Sequence, residues 1–127
     1  MKPKTAKRPV NLDIGTFRLP ITAYASISHR ISGVIMLGGV LVLIYLLSLS
    51  LQSSAGFDQA RALLDNTVFK LVIWGVLAAL SYHLVAGIRH LLMDAGFGET
   101  REGGKRGAMI AFVAAATLII LAGIWVW

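Results

Sequence analysis

The feature that most constrains this chain is an apolar stretch at residues 71–94 that also carries ionisable side chains. The stretch, LVIWGVLAALSYHLVAGIRHLLMD, is long enough and apolar enough to cross a bilayer. It nevertheless contains His83, Arg89 and His90. Ionisable side chains inside a membrane span are costly and usually mark a functional site. The stretch therefore predicts a membrane helix with a binding or redox role.

The spacing of the two histidines suggests what such a helix could bind. His83 and His90 are seven residues apart, so on a helix they are offset by only about 20° and by about 10 Å along the axis. Gly87 lies on the same stripe and would let a flat group approach the backbone. One interpretation is a haem, with His83 as axial ligand and Arg89 or His90 near the propionates. The other is a buried His83 hydrogen-bonded to a neighbouring helix, and spacing alone leaves both open.

Composition favours a membrane protein and limits its chemistry. Of the 127 residues, 57% are hydrophobic and 14% are charged, whereas soluble domains are about 45–50% apolar. The sequence contains no cysteine, which excludes disulfides, iron–sulfur ligation by this chain and covalent attachment of a c-type haem. Any haem must therefore be held non-covalently, through histidine or methionine.

The apolar runs predict an all-α integral membrane protein with three transmembrane helices. The expected spans are residues 21–51, 68–93 and 108–127, which together form one transmembrane domain over 21–127. Residues 1–20 are predicted to be a basic arm and not a signal peptide, because the apolar run begins too late. We also expect a short surface helix within 52–67, a glycine-rich charged loop over 94–107 and a third span that acts only as scaffold.

The first span begins with polar side chains. Ser26 and Arg30 are four residues apart and share a helix face, with Gly33 close to that face. This face lies where a ligand at headgroup level would bind. Alternatively, Arg30 extends to the membrane surface and the serines bond to backbone carbonyls.

The net charge is +6, and the positively charged residues lie where a membrane topology would place them. Lysines and arginines concentrate in residues 1–20 and in the loop after the second span, which argues against nucleic-acid binding. The loop between the first two spans has Arg61, with Lys70 at its edge. The positive-inside rule therefore predicts a cytoplasmic N-terminus and a periplasmic C-terminus. This topology brings Ser26, Arg30 and His90 to one end of the bundle.

Several short motifs resemble a known family. They are RPVNL at residues 8–12, SISHRISG at 26–33, YH at 82–83, GIRH at 87–90 and Asp94. Over almost its whole length the chain resembles the cytochrome b membrane-anchor subunits of bacterial succinate dehydrogenase, the succinate:quinone oxidoreductase of respiratory complex II. The combination of an HRxSG element with a histidine-bearing second helix is specific to such a protein.

The resemblance implies roles for individual residues. His83 matches the axial ligand of haem b, whose second axial histidine comes from the other membrane anchor subunit. Arg30 and His90 match residues near the haem propionates, and Ser26 and Arg30 match residues that line the ubiquinone site. The remaining partners implied are an iron–sulfur subunit and a flavoprotein subunit, in the bacterial cytoplasmic membrane. The chain would not be catalytic by itself.

Two other functions would also fit the residues. The chain could be a haem-free structural anchor of a related fumarate reductase-type complex, because His83 could be a packed core residue. It could also be a small transporter or proton-channel subunit, since buried histidine and arginine occur on proton paths.

Overall fold

The computed structural model describes residues 10–127, which form four α-helices and one short 3₁₀ turn. The predicted basic arm lies partly outside the described residues, and its described part, from Val10, is exposed around the turn Ile14–Thr16. The helices are α1 (Ile21–Gln52), α2 (Ser54–Asp65), α3 (Thr67–Asp94) and α4 (Arg101–Val126). The described chain has no strand. The prediction of an all-α fold is confirmed.

Three of these helices can cross a membrane. The helices α1, α3 and α4 contain 32, 28 and 26 residues and are apolar enough for a span. At about 1.5 Å per residue, each is longer than the hydrocarbon core of about 30 Å. The chain is therefore a multi-pass membrane protein, as predicted.

The short helix α2 folds back on the end of α1. Ser53 caps it by accepting a hydrogen bond from the Gly56 amide, a typical serine N-cap. Gly56 is buried, and a Cβ there would collide with the Leu49 carbonyl oxygen of α1. The expected short helix between the first two spans is thus present, and a glycine allows its close approach.

Small residues form the core where the long helices meet. The buried residues of α1 recur at every seventh position, and those of α3 and α4 are alanine or glycine. Such residues let backbones approach closely in a membrane, where lipid removes the usual reason to bury leucine. The large apolar side chains point outward instead, and none is fully buried among the described residues. The buried residues of the three helices are Ala25, Ser32, Gly39, Leu46, Ala79, Ala86, Gly104, Ala108, Ala111 and Ala115.

The fourth helix begins at Arg101 and not at residue 108, so the expected loop over 94–107 is shorter. The helix α3 ends in a Schellman motif, in which Gly96 has φ +90° and the Phe97 amide donates to the Leu92 carbonyl. Thr100 then caps α4 by accepting from the Gly103 amide. Of the glycines that suggested a loop, Gly96 and Gly98 form the turn, whereas Gly103, Gly104 and Gly107 lie in the first turns of α4.

Candidate functional site

Three histidines from two helices meet at one end of the bundle. The His29 ring of α1 stacks on the His83 ring of α3, with centroids 4.1 Å apart and planes inclined by 23°. The His90 ring lies 5.2 Å from that of His29, inclined by 41°. All three side chains are half-buried. His83 and His90 were singled out by their spacing, whereas His29 was noted only as part of the polar start of α1.

The Nδ1 atom of His83 is engaged by two oxygens of α1. It lies 3.0 Å from the Ser32 hydroxyl and 3.2 Å from the His29 carbonyl oxygen. The Ser32 hydroxyl donates to that same carbonyl over 2.7 Å. A carbonyl can only accept, so Nδ1 must carry the proton in this arrangement. The lone pair of the ring is therefore on Nε2.

That second nitrogen of His83 is free to coordinate. Within residues 10–127, Nε2 makes no hydrogen bond, and it is not among the polar atoms enclosed there without a partner. A neutral imidazole fixed through Nδ1, with an open Nε2, is how histidine is held as a metal ligand. In the described residues the three histidines are not arranged so that they could hold one metal ion together. One imidazole suits a metal whose other ligands come from a macrocycle and from a second chain.

Glycines make room for the histidine rings. A Cβ on Gly33 would lie 3.2 Å from Cε1 of His83. A Cβ on Gly87 would lie 3.7 Å from Nε2 of His29. Gly87 thus makes room for an imidazole from α1, whereas its position in the sequence suggested room for a ligand. Nε2 of His29 is enclosed and has no hydrogen-bond partner among the described residues.

Ser26 and Arg30 lie on the same part of α1 as His29. Ser26 is half-buried and Arg30 is exposed, and neither side chain makes a hydrogen bond within the described chain. The adjacent turn is attached to α3, because the Tyr82 hydroxyl donates to the Ala25 carbonyl over 2.8 Å. The polar groups of Ser26 and Arg30 are therefore available to a ligand or to another subunit.

Arg89 belongs to a different face of α3. Its Nη2 donates to the Gly104 carbonyl of α4 over 3.2 Å, whereas His90 faces His29 of α1. Successive residues of an α-helix are about 100° apart around its axis, so neighbours in sequence face different partners. Of the two residues that spacing alone offered for the propionates, His90 lies in the histidine cluster and Arg89 does not.

Comparison with known proteins assigns the sequence of this chain to a family. Residues 4–122 match the family of succinate dehydrogenase/fumarate reductase transmembrane subunits. The succinate dehydrogenase cytochrome b556 subunit of Coxiella burnetii is 44% identical over 123 residues, covering 96% of this chain and 98% of that protein. The subunit of the same name from Paracoccus denitrificans is 30% identical, covering 90% and 88%. The Rickettsia felis subunit is 34% identical, covering 72% and 71%. With its three membrane helices and paired α1 and α3 histidines, the chain belongs to the succinate dehydrogenase/fumarate reductase transmembrane subunit family.

Proposed function

We propose that this chain is the cytochrome b anchor of a succinate dehydrogenase and binds haem b and ubiquinone with partner subunits. Its relatives are named succinate dehydrogenase cytochrome b556 subunits, and a b-type cytochrome holds its haem without a covalent link. That agrees with a chain that has no cysteine. The haem, when bound, supplies reversible one-electron redox chemistry, and the chain supplies ligation, orientation and charge.

The observation that carries the proposal is the state of His83. Its Nδ1 is directed at the Ser32 hydroxyl and the His29 carbonyl at 3.0 and 3.2 Å, which leaves the Nε2 lone pair for haem iron. A histidine packed only as core would be expected to satisfy both ring nitrogens within the bundle. An Nε2 without a bond, opposite a held Nδ1, supports His83 as a residue that would hold the haem iron.

One observation supports sharing of the haem with a second anchor subunit. The described chain offers a single imidazole that is held through one ring nitrogen and has a free lone pair on the other, Nε2 of His83, and a haem held by two histidines would need another from elsewhere. We propose that the second anchor subunit provides that histidine. The large apolar side chains exposed along the bundle, such as Val34 at 72% and Leu37 at 68%, leave ample surface for lipid and for a partner helix.

Cationic and donor groups around the histidine cluster suit the haem propionates. His90 lies beside His29 and is half-buried. Arg30 is exposed on the neighbouring face of α1 and carries a positive charge. We propose that Arg30 and His90 hold the propionates.

Ser26 and Arg30 are the residues proposed for ubiquinone. The half-buried Ser26 hydroxyl can donate to a quinone carbonyl oxygen, and Arg30 can stabilise negative charge that develops on it. Neither group is committed to another bond within residues 10–127, which supports a role toward a ligand. The rest of the site would come from the iron–sulfur subunit and the second anchor.

In this proposal the chain does not oxidise succinate. It docks the flavoprotein and iron–sulfur subunits to the bacterial cytoplasmic membrane and helps electrons reach ubiquinone. The end of the bundle that carries Ser26, Arg30 and His90 would face the cytoplasm, where those soluble subunits are.

The test is a redox-difference spectrum of the whole complex carrying His83→Ala. We expect the b-type α and Soret bands to disappear or to lose most of their intensity, while succinate oxidation with a soluble dye continues. Ser81→Ala is a matched control, because Ser81 lies on the same helix and bonds only to its own Leu77 carbonyl. Full haem occupancy with unchanged ligation in His83→Ala would refute the assignment.

The alternative is a haem-free structural anchor of a fumarate reductase-type complex. The family includes fumarate reductase subunits, and three apolar spans would serve that role without a cofactor. A purified wild-type complex with no b-type bands would favour it.

A further inference from the structure

A second candidate site lies between α3 and α4, away from the histidine cluster. It is a cleft of about 320 Å³ at the turn that joins the two helices. Its walls are apolar, and several of them are exposed on the outside of the bundle, including Ile88 at 49%, Leu92 at 50%, Phe97 at 68% and Ile110 at 68%. The cleft therefore opens toward the surrounding lipid.

Glycines give the cleft its depth. Gly98, Gly103, Gly104 and Gly107 line the side formed by the turn and the first turns of α4. A side chain at Gly107 would occupy the space beside Arg89, since a Cβ there would lie 3.4 Å from Nε of Arg89. The groove is thus built from residues that leave room for an apolar chain.

Arg89 is the one ionisable residue in the lining, which contains no acidic side chain. Of its five N–H donors, Nη2 is used by the Gly104 carbonyl, and Nε is enclosed without a partner in the described chain. A carbonyl bears no net charge, so this contact does not neutralise the guanidinium. A charged side chain inside a membrane span normally pairs with another charged group or with backbone carbonyls, and the single carbonyl at Arg89 leaves room for an anion as a further partner.

The depth of Arg89 matches a lipid headgroup. It lies five residues before the end of α3 at Asp94, or about 7–8 Å along the axis. Lys105 and Arg106 are exposed on the adjoining turns of α4. Asp94 lies at the same end but does not line the cleft.

We propose that this cleft binds one acidic phospholipid, with its phosphate at Arg89 and an acyl chain along the apolar wall. Basic pockets between transmembrane helices are suited to acidic headgroups, and the guanidinium is the side chain that best matches a phosphate. The site is separate from the histidine cluster, so it does not depend on haem or quinone binding.

The test measures lipid retained by the intact complex. The complex is delipidated in detergent, titrated with phosphatidylglycerol or phosphatidylcholine, and examined by native mass spectrometry. We expect saturable binding of phosphatidylglycerol in preference to phosphatidylcholine, and about tenfold weaker binding in Arg89→Gln. Arg61→Gln is the control, because Arg61 is an exposed arginine of α2 that lies outside this cleft.

A second variant guards against a folding defect. Gly107→Leu keeps the charge and fills the groove, and we expect it to lose the acyl-chain contribution while succinate–quinone activity stays within about twofold of wild type. Inorganic phosphate at the same concentration should not displace the lipid. Equal binding of both lipids, unchanged phosphatidylglycerol binding in Arg89→Gln, or displacement by phosphate alone would each overturn the proposal.

Discussion

Ser32 is a buried polar side chain whose hydroxyl serves two helices at once. Only 4% of it is exposed. It donates to the His29 carbonyl of its own helix and accepts from Nδ1 of His83. Both of its bonding roles are filled, so its burial carries little penalty. The sequence allowed serines of the first span to bond to backbone carbonyls, and Ser32 does so while it also accepts a hydrogen bond from His83.

The first prediction concerns the role of Arg30 in quinone reduction. Replacing it by leucine should lower kcat/KM for ubiquinone about 10- to 100-fold, because a charge-assisted hydrogen bond contributes about 1.5–3 kcal/mol. Arg30 is exposed and makes no side-chain bond within the described chain, so we expect the complex to assemble normally. Steady-state quinone reduction by the purified complex measures the effect.

Arg61→Leu is the matched control for Arg30→Leu, since it also removes an exposed arginine but from α2. It should leave kcat/KM unchanged. Arg30→Lys should recover part of the loss, because the charge returns without the planar donor fork. Unchanged quinone kinetics in Arg30→Leu would remove Arg30 from the proposed site.

The contact between α1 and α3 depends on a glycine, which has no side chain. Gly39 is buried, and a Cβ there would lie 2.6 Å from Cγ1 of Val76. By contrast, a Cβ on the neighbouring Gly38 would meet no atom within 4 Å. Three of the four buried residues that recur on α1 are small, namely Ala25, Ser32 and Gly39, so the two helices approach closely over most of this seam.

We therefore predict that Gly39→Ala destabilises the complex by about 1–3 kcal/mol, the usual cost of overpacking. Thermal unfolding in detergent measures this. The additional change Val76→Ala should restore much of the loss, because it removes the methyl groups that clash. Gly38→Ala should be neutral or slightly stabilising, since alanine favours helix. Equal effects at Gly38 and Gly39 would contradict the packing argument.

The elements also show what the sequence can and cannot predict. The length of the apolar runs was enough to predict the three spans and the all-α fold. Hydrophobic spacing was enough to predict α2. The start of α4 was missed because its glycines resemble a loop, although Thr100 supplies an N-cap signal. The direction of Arg89 and the stacking of His29 on His83 depend on how the helices pack against each other. That packing cannot be predicted from the residues on one helix face. His29 could have been found from its place beside Arg30 on a polar helix start.

As a whole, the described chain lacks the core of large apolar side chains that a soluble globular protein has, and its outer surface suits a bilayer. Small residues lie at its centre and large apolar side chains on its outside, with Ile124 72% and Trp125 80% exposed. Soluble proteins rarely expose such contiguous apolar surface. The two candidate sites, the histidine cluster and the α3–α4 cleft, lie at the same end of this bundle, so the orientation of the chain decides which membrane face they serve.

Orientation can be tested on the whole molecule, because the chain contains no cysteine and introduced cysteines are therefore unique within it. Glu99 lies in the α3–α4 turn and Ser54 at the start of α2, and both are exposed. With a cytoplasmic N-terminus, as the lysine and arginine distribution predicts, an impermeant maleimide added to spheroplasts should label Ser54→Cys and not Glu99→Cys. Inverted vesicles should give the opposite result, and both sites should react in detergent, which controls for accessibility. Labelling of Glu99→Cys in intact spheroplasts would reverse the topology and place the histidine cluster on the periplasmic side, which would contradict the proposed docking of cytoplasmic subunits at that end.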